Sequence, residues 1–168
     1  MGLEQRVEEL ERRVGELEGE RRAERRAVVR QADLWALTRL EEQFAELGIE
    51  DGGVLFAGSV RLPAGEQYGW QMGFSTDDLL ADDGSEAADR LAALGNPVRL
   101  RLLREILGGR RTATELTALE GVGTSGQIYH HLRQLVAAGW LHAAARGRYE
   151  VPAGRVVPLL VALATTRR

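Results

Sequence analysis

The stretch TSGQIYHHLRQLVAAGWL, residues 124–141, decides how this chain is read. Thr124 followed by Gln127 three positions on is a capping box: each side chain serves the backbone amide of the other. A helix is therefore expected over 125–138, with Gly139 as its stop. At about 100° per residue, Leu132, Leu135 and Val136 fall within about 80° of Ile128 and turn that face into a core. Gly126, His130 and Arg133 lie opposite, with Gln127 and Gln134 on one flank and Tyr129 on the other. This outer face carries donors, acceptors and one fixed cation, and no acid. Neighbouring histidines on a helix diverge by about 100°, whereas helical chelation needs i,i+3 or i,i+4 spacing. His130 and His131 are therefore not expected to share a metal, and His131 reads as a hydrogen-bonded residue at the core boundary. His142 has no visible partner. No nucleophile or acid–base motif accompanies these histidines, so no catalytic residue and no metal ligand is assigned, and no cofactor.

Working outward, Asn96-Pro97 is a cap and first-position proline opening a helix with Val98, Leu102, Leu103, Ile106 and Leu107 as its apolar stripe. Gly108-Gly109 ends it. Thr112 to Glu115 is another capping box, opening a short helix with Leu116 and Leu119. Glu120 to Gly123 is a tight turn before the 125–138 helix. Residues 141–151 then pair as a hairpin around Arg146-Gly147. Two short helices joined by a glycine turn and followed by a hairpin make a winged helix-turn-helix.

Charge is distributed to match. The chain of 168 residues has a net charge of −3, yet residues 91–168 alone carry +7 and residues 48–90 carry −7. A basic half is the footprint of a nucleic-acid partner. Cysteine is absent, which excludes disulfides and thiolate metal sites and fits a reducing cytoplasm. No apolar run approaches the roughly 18 residues of a membrane span, and Met1 to Gln5 shows no signal-peptide pattern.

Residues 3–47 read as a long helix. Leu3, Val7, Leu10, Val14 and Leu17 follow a 4-3-4-3 spacing, Val at a and Leu at d, which favours a parallel two-stranded coil. Leu34, Leu37, Leu40, Phe44 and Leu47 continue an apolar pattern up to Gly48. Residues 53–74 read as a β-hairpin turning at Pro63 to Glu66. Val54, Phe56, Val60 and Leu62 share a face with Tyr68, Trp70, Met72 and Phe74. An isolated hairpin is marginal in water, so this face must cover something. In the acidic stretch 75–90, Ser75 or Thr76 reads as a helix cap, with Asp77 and Asp78 in the first turn. The expected fold class is mainly α (α+β). The expected division is 1–48, helix and coiled-coil dimerisation; 49–84, hairpin and acidic connector; and 85–168, winged helix-turn-helix with a C-terminal helix.

LAALGNPVRLRLLREIL, TATEL, TSGQIYHHLRQLVAAGWL and RGRYEV together resemble the ArsR-type winged-helix regulators, over about residues 88–165. The resemblance implies a dimeric bacterial transcription factor, usually a repressor whose effector loosens DNA binding. It also implies that the apolar tail, with Leu159, Leu160 and Leu163, packs in a dimer interface. Pro158 is expected in the first turn of that helix or as its kink. Metal sensors of the family use cysteines or acid and histidine ligands on the first or last helix, which this chain lacks.

The partner expected is double-stranded DNA. Helix 125–138 is expected in the major groove, with Gln127 placed to hydrogen-bond an adenine through both amide atoms. Thr124, Ser125 and the helix N-terminal amides are placed for phosphate, with Gly126 allowing close backbone approach. Tyr129, His130 and Arg133 present side chains on the same face. Arg110, Arg111 and Thr112 are expected at the DNA backbone beside the first helix of the motif, and Arg146 and Arg148 at the tip of wing 141–151. A homodimer in the cytoplasm, associated with the nucleoid, is expected, and an unknown effector or protein partner at residues 1–90. An assembly module and a non-specific architectural DNA-binding protein are the alternative readings; an enzyme is not expected.

Overall fold

The computed structural model describes residues 12–13, 34–144 and 147–167. They fall into two compact units, one through Glu50 and one from Asp51 onward. Of the expected coil positions, Leu3, Val7, Leu10, Val14 and Leu17 lie outside the described residues, as does Arg146. Seven helices and two hairpins occur among the described residues.

In the first unit, α1 (Trp35–Glu46) ends as its sequence dictates. Gly48 donates to Ala45 O at 3.2 Å and Ile49 to Phe44 O at 2.9 Å, the doubled closure of a Schellman stop. Leu34, Trp35, Leu37 and Leu47 are exposed.

The second unit opens with the hairpin β1 (Gly53–Arg61) and β2 (Gln67–Ser75). Its register is unbroken, pairing Val54 with Phe74, Phe56 with Met72, Gly58 with Trp70 and Val60 with Tyr68. Then follow α2 (Thr76–Ala81), α3 (Ser85–Leu94), α4 (Pro97–Leu107), α5 (Ala113–Thr117) and α6 (Ser125–Ala137). The chain ends with a short hairpin, β3 (His142–Ala144) and β4 (Arg148–Glu150), and α7 (Ala153–Thr165). Ser75 caps α2, accepting from the Asp78 amide at 3.0 Å. Asn96 caps α4, accepting from Val98 and Arg99, with Pro97 at the first position. Among the described residues, no helix is long and apolar enough to cross a membrane.

The apolar face of the first hairpin covers α7. Gly58 sits so close to this helix that a Cβ there would meet Val157 Cγ1 at 2.6 Å, and a Cβ on Gly154 would meet the Trp70 ring at 3.2 Å. Glycine on each side permits the approach. The core is aliphatic: Leu102, Leu103 and Ile106 of α4, Leu116 of α5, Ile128, Leu132 and Leu135 of α6, and Val156, Val157 and Leu159 of α7 are all sealed. Burial of each is worth roughly 1.5–3 kcal/mol.

One tail expectation changes, and of the two places expected for Pro158 one is excluded. Leu159 belongs to the interior of the single chain at 0% exposure, on a helix that packs against the first hairpin; Leu160 and Leu163 stay half-buried. α7 starts at Ala153, so Pro158 falls beyond the first turn, inside the helix.

Candidate nucleic-acid interface

The helix α6 is built by its own caps. Thr124 Oγ1 accepts from the Gln127 amide at 3.4 Å, and Gln127 Oε1 accepts from the Thr124 amide at 2.9 Å. At the other end Gly139, at φ 72°, adopts the left-handed turn that side chains resist. Gly139 donates to Val136 O at 3.0 Å and Trp140 to Leu135 O at 2.9 Å, turning the chain toward β3. Trp140 is held in place: its Nε1 donates to Arg90 O at 2.9 Å, and the Arg155 guanidinium lies 5.5 Å over its ring.

The same physics sets the first helix of the motif. Thr112 and Glu115 form a complete capping box at α5. The Thr112 hydroxyl and amide hold the Glu115 carboxyl below its ordinary pKa. The second hairpin is pinned to this N-terminus, with Ala113 donating to Gly147 O at 3.0 Å and Tyr149 to Arg111 O at 2.7 Å. The hairpin thus stands beside the helix pair through backbone bonds, independent of surface side chains.

What α6 presents is a continuous exposed face. Ser125, Gly126, Tyr129, His130 and Arg133 are all open to solvent, Tyr129 at 44%. An added Cβ at Gly126 would meet nothing within 4 Å. Arg133 makes no ion pair with a described residue. The helix carries no acid.

Other expected contacts are spent inside the protein. Gln127 cannot offer both amide atoms to a base while its oxygen closes the cap, so the adenine reading gives way to a structural one. Arg111 is only 17% exposed and pairs with Glu66 of the β1–β2 turn at 2.5 Å. That arginine, hydrogen-bonding the Glu66 carboxyl, lowers its pKa. Arg111 is thus a tie between hairpin and helix pair, and Thr112 is engaged as the cap of α5. Arg110 is 57% exposed and pairs with Glu105 at 3.1 Å; Arg148 Nε lies 3.9 Å from Glu150. His131 sits at the boundary as expected, but its Nδ1 is buried with no hydrogen-bond partner, and its ring lies 5.8 Å from that of His130. Among the described residues, no three histidine, aspartate or glutamate side chains come together as a metal site.

One residue the sequence did not single out is Arg99. Its Nε and Nη2 donate to Ala93 O and Ala92 O at the end of α3, at 2.5 and 2.7 Å. Its Nη1 donates to Gln134 Oε1 on α6 at 2.7 Å, so Gln134 too is engaged. One guanidinium braces α6 against two other helices. No local pattern announces such a residue; its partner lies 35 positions away.

A comparison with curated proteins finds no match. Residues 94–141, from the end of α3 to the residue before β3, match the sequence family described as a helix-turn-helix domain, a match that supports a DNA-binding domain over these residues.

Proposed function

We propose that the protein is a dimeric, sequence-specific regulator of transcription, a bacterial cytoplasmic repressor of the ArsR-like winged-helix kind, and not an enzyme. In this reading α6 enters the major groove, and β3–β4 is the wing that meets the flanking backbone through Arg148. The observation that carries it is the acid-free exposed face of Ser125, Gly126, Tyr129, His130 and Arg133. The N-terminal residues of such a helix meet base edges. Ser125 and the first amides of α6 take phosphate, as helix N-termini do. Arg110 reaches the DNA backbone by exchanging Glu105 for phosphate.

The test is selection of binding sites from a random duplex library at physiological salt. The expected result is an enriched palindrome with half-sites one or two helical turns apart. Bulk binding without enrichment supports an architectural protein instead, and absence of binding at low salt supports an assembly module.

A further inference from the structure

The β1–β2 hairpin has two long edges; that of β1 ends in a charged residue, Arg61, and that of β2 carries none. Leu62 donates to Glu66 O and Thr76 to Gly52 O at the two ends of a ladder whose register never slips. Antiparallel pairs alternate between bonded and non-bonded, so the even-numbered residues of both strands bond each other. The odd-numbered residues of β2, namely Gln67, Gly69, Gln71, Gly73 and Ser75, turn their N–H and C=O outward. The first four are exposed, and among the described residues no backbone hydrogen bond from another segment reaches them.

Proteins blunt such an edge with charge, proline or a bulge. β2, QYGWQMGFS, has none of these. Its chemistry is also nearly palindromic about Gln71. Gly69 mirrors Gly73, Trp70 mirrors Met72, Tyr68 mirrors Phe74 and Gln67 mirrors Ser75. An edge of open amides takes an extended strand. An uncharged near-palindrome takes its own copy antiparallel, because glycine then faces glycine, apolar faces apolar, polar faces polar and no like charges meet.

We propose that two copies of the chain pair β2 to β2 about a twofold axis at Gln71, making a four-stranded sheet with both α7 helices on one face. Gly69 then faces Gly73 of the second copy. Phe74, 37% exposed in the protomer, is covered by the second copy's Tyr68. This names the interface of the dimer proposed above and rests on that reading; such a contact is isologous and closes at two copies.

The chain has no cysteine, so Gln71→Cys in the full-length protein introduces a single thiol on an exposed strand position. Directly bonded antiparallel partners have Cα atoms about 5.5 Å apart, within the roughly 4.4–6.8 Å range of a disulfide. Ser59→Cys, on the same face of β1, is the control; Ser59 pairs with Gly69, so its two copies are three strand spacings apart across the sheet and four residues apart along it, roughly 20 Å in all. Under mild oxidation without DNA, Gln71→Cys is expected to form a disulfide dimer at least tenfold faster than Ser59→Cys. Equal rates, or no disulfide at position 71, overturn the proposal. In the unsubstituted protein, amide exchange at Gly69, Gln71 and Gly73 is expected to be at least tenfold slower when concentrated than when diluted to monomer. Equally fast exchange overturns the proposal as well. Neither experiment contains DNA, so a negative result removes this interface alone. Failure of the regulator reading would instead appear in site selection.

Discussion

Arg111 and Glu66 stand 45 residues apart in the chain and meet in a half-buried ion pair. Arg111 also spends its backbone on the motif: its amide donates to the Glu115 carboxylate at 3.1 Å, and its carbonyl accepts from Tyr149 at 2.7 Å. The turn of the first hairpin is thereby coupled to the cap of α5 and to β4 at one residue. An effector that moved the β1–β2 hairpin would pull directly on the helix pair.

Glu66→Gln is expected to destabilise the protein at neutral pH. The folded-state pKa of Glu66 is depressed, so its contribution is present above the unfolded value of about 4.3 and lost as pH falls through the folded value. Urea midpoints of the two proteins should differ at pH 7 and converge in acid. A pH-independent difference would assign the effect to packing.

Thr124→Ala removes the cap of α6 and is expected to cost about 1 kcal/mol. Gln127→Ala should lower stability through the same box and leave the base preference at every operator position unaltered. A relaxed preference at one position would show that the cap opens on DNA.

Arg133→Ala should weaken DNA binding without changing the urea midpoint, because this side chain makes no ion pair among the described residues. If Arg133 meets phosphate, the slope of log affinity against log salt falls by about 1. If it meets a base, specificity relaxes at that position and the slope stays.

Arg99→Ala leaves two α3 carbonyls and Gln134 without their donor. Each lost charged hydrogen bond is worth about 1.5–3 kcal/mol at the upper end, discounted here by partial exposure. The expected signature is a lower urea midpoint together with weaker DNA binding. Unchanged affinity would remove Arg99 as a brace of α6.

The elements of the domain were legible because their causes are local. The Thr124–Gln127 and Thr112–Glu115 boxes, the Asn96-Pro97 start and the Gly48 and Gly139 stops each act within a few residues. Ile128, Leu132 and Leu135 announce their face by spacing alone, and all three are sealed. The site was legible only as a face. Exposed arginines look alike in a sequence, and nothing near Arg111 or Arg110 tells that carboxylates will claim them. Gln127 was visible both as a cap and as a base reader; geometry allows its oxygen only the first.

By itself, the sequence determined where α4, α5 and α6 begin, where α1 and α6 end and which side of α6 meets water, because capping, turn chemistry and periodicity act over one or two turns of chain. Only the tertiary structure decided that the first hairpin rests on α7 through Gly58 and Gly154, that Glu66 holds Arg111, that Arg99 ties three helices and that Leu159 is interior. Those contacts join residues tens of positions apart. Their energies depend on distance and desolvation, which exist only once the chain has closed around its core.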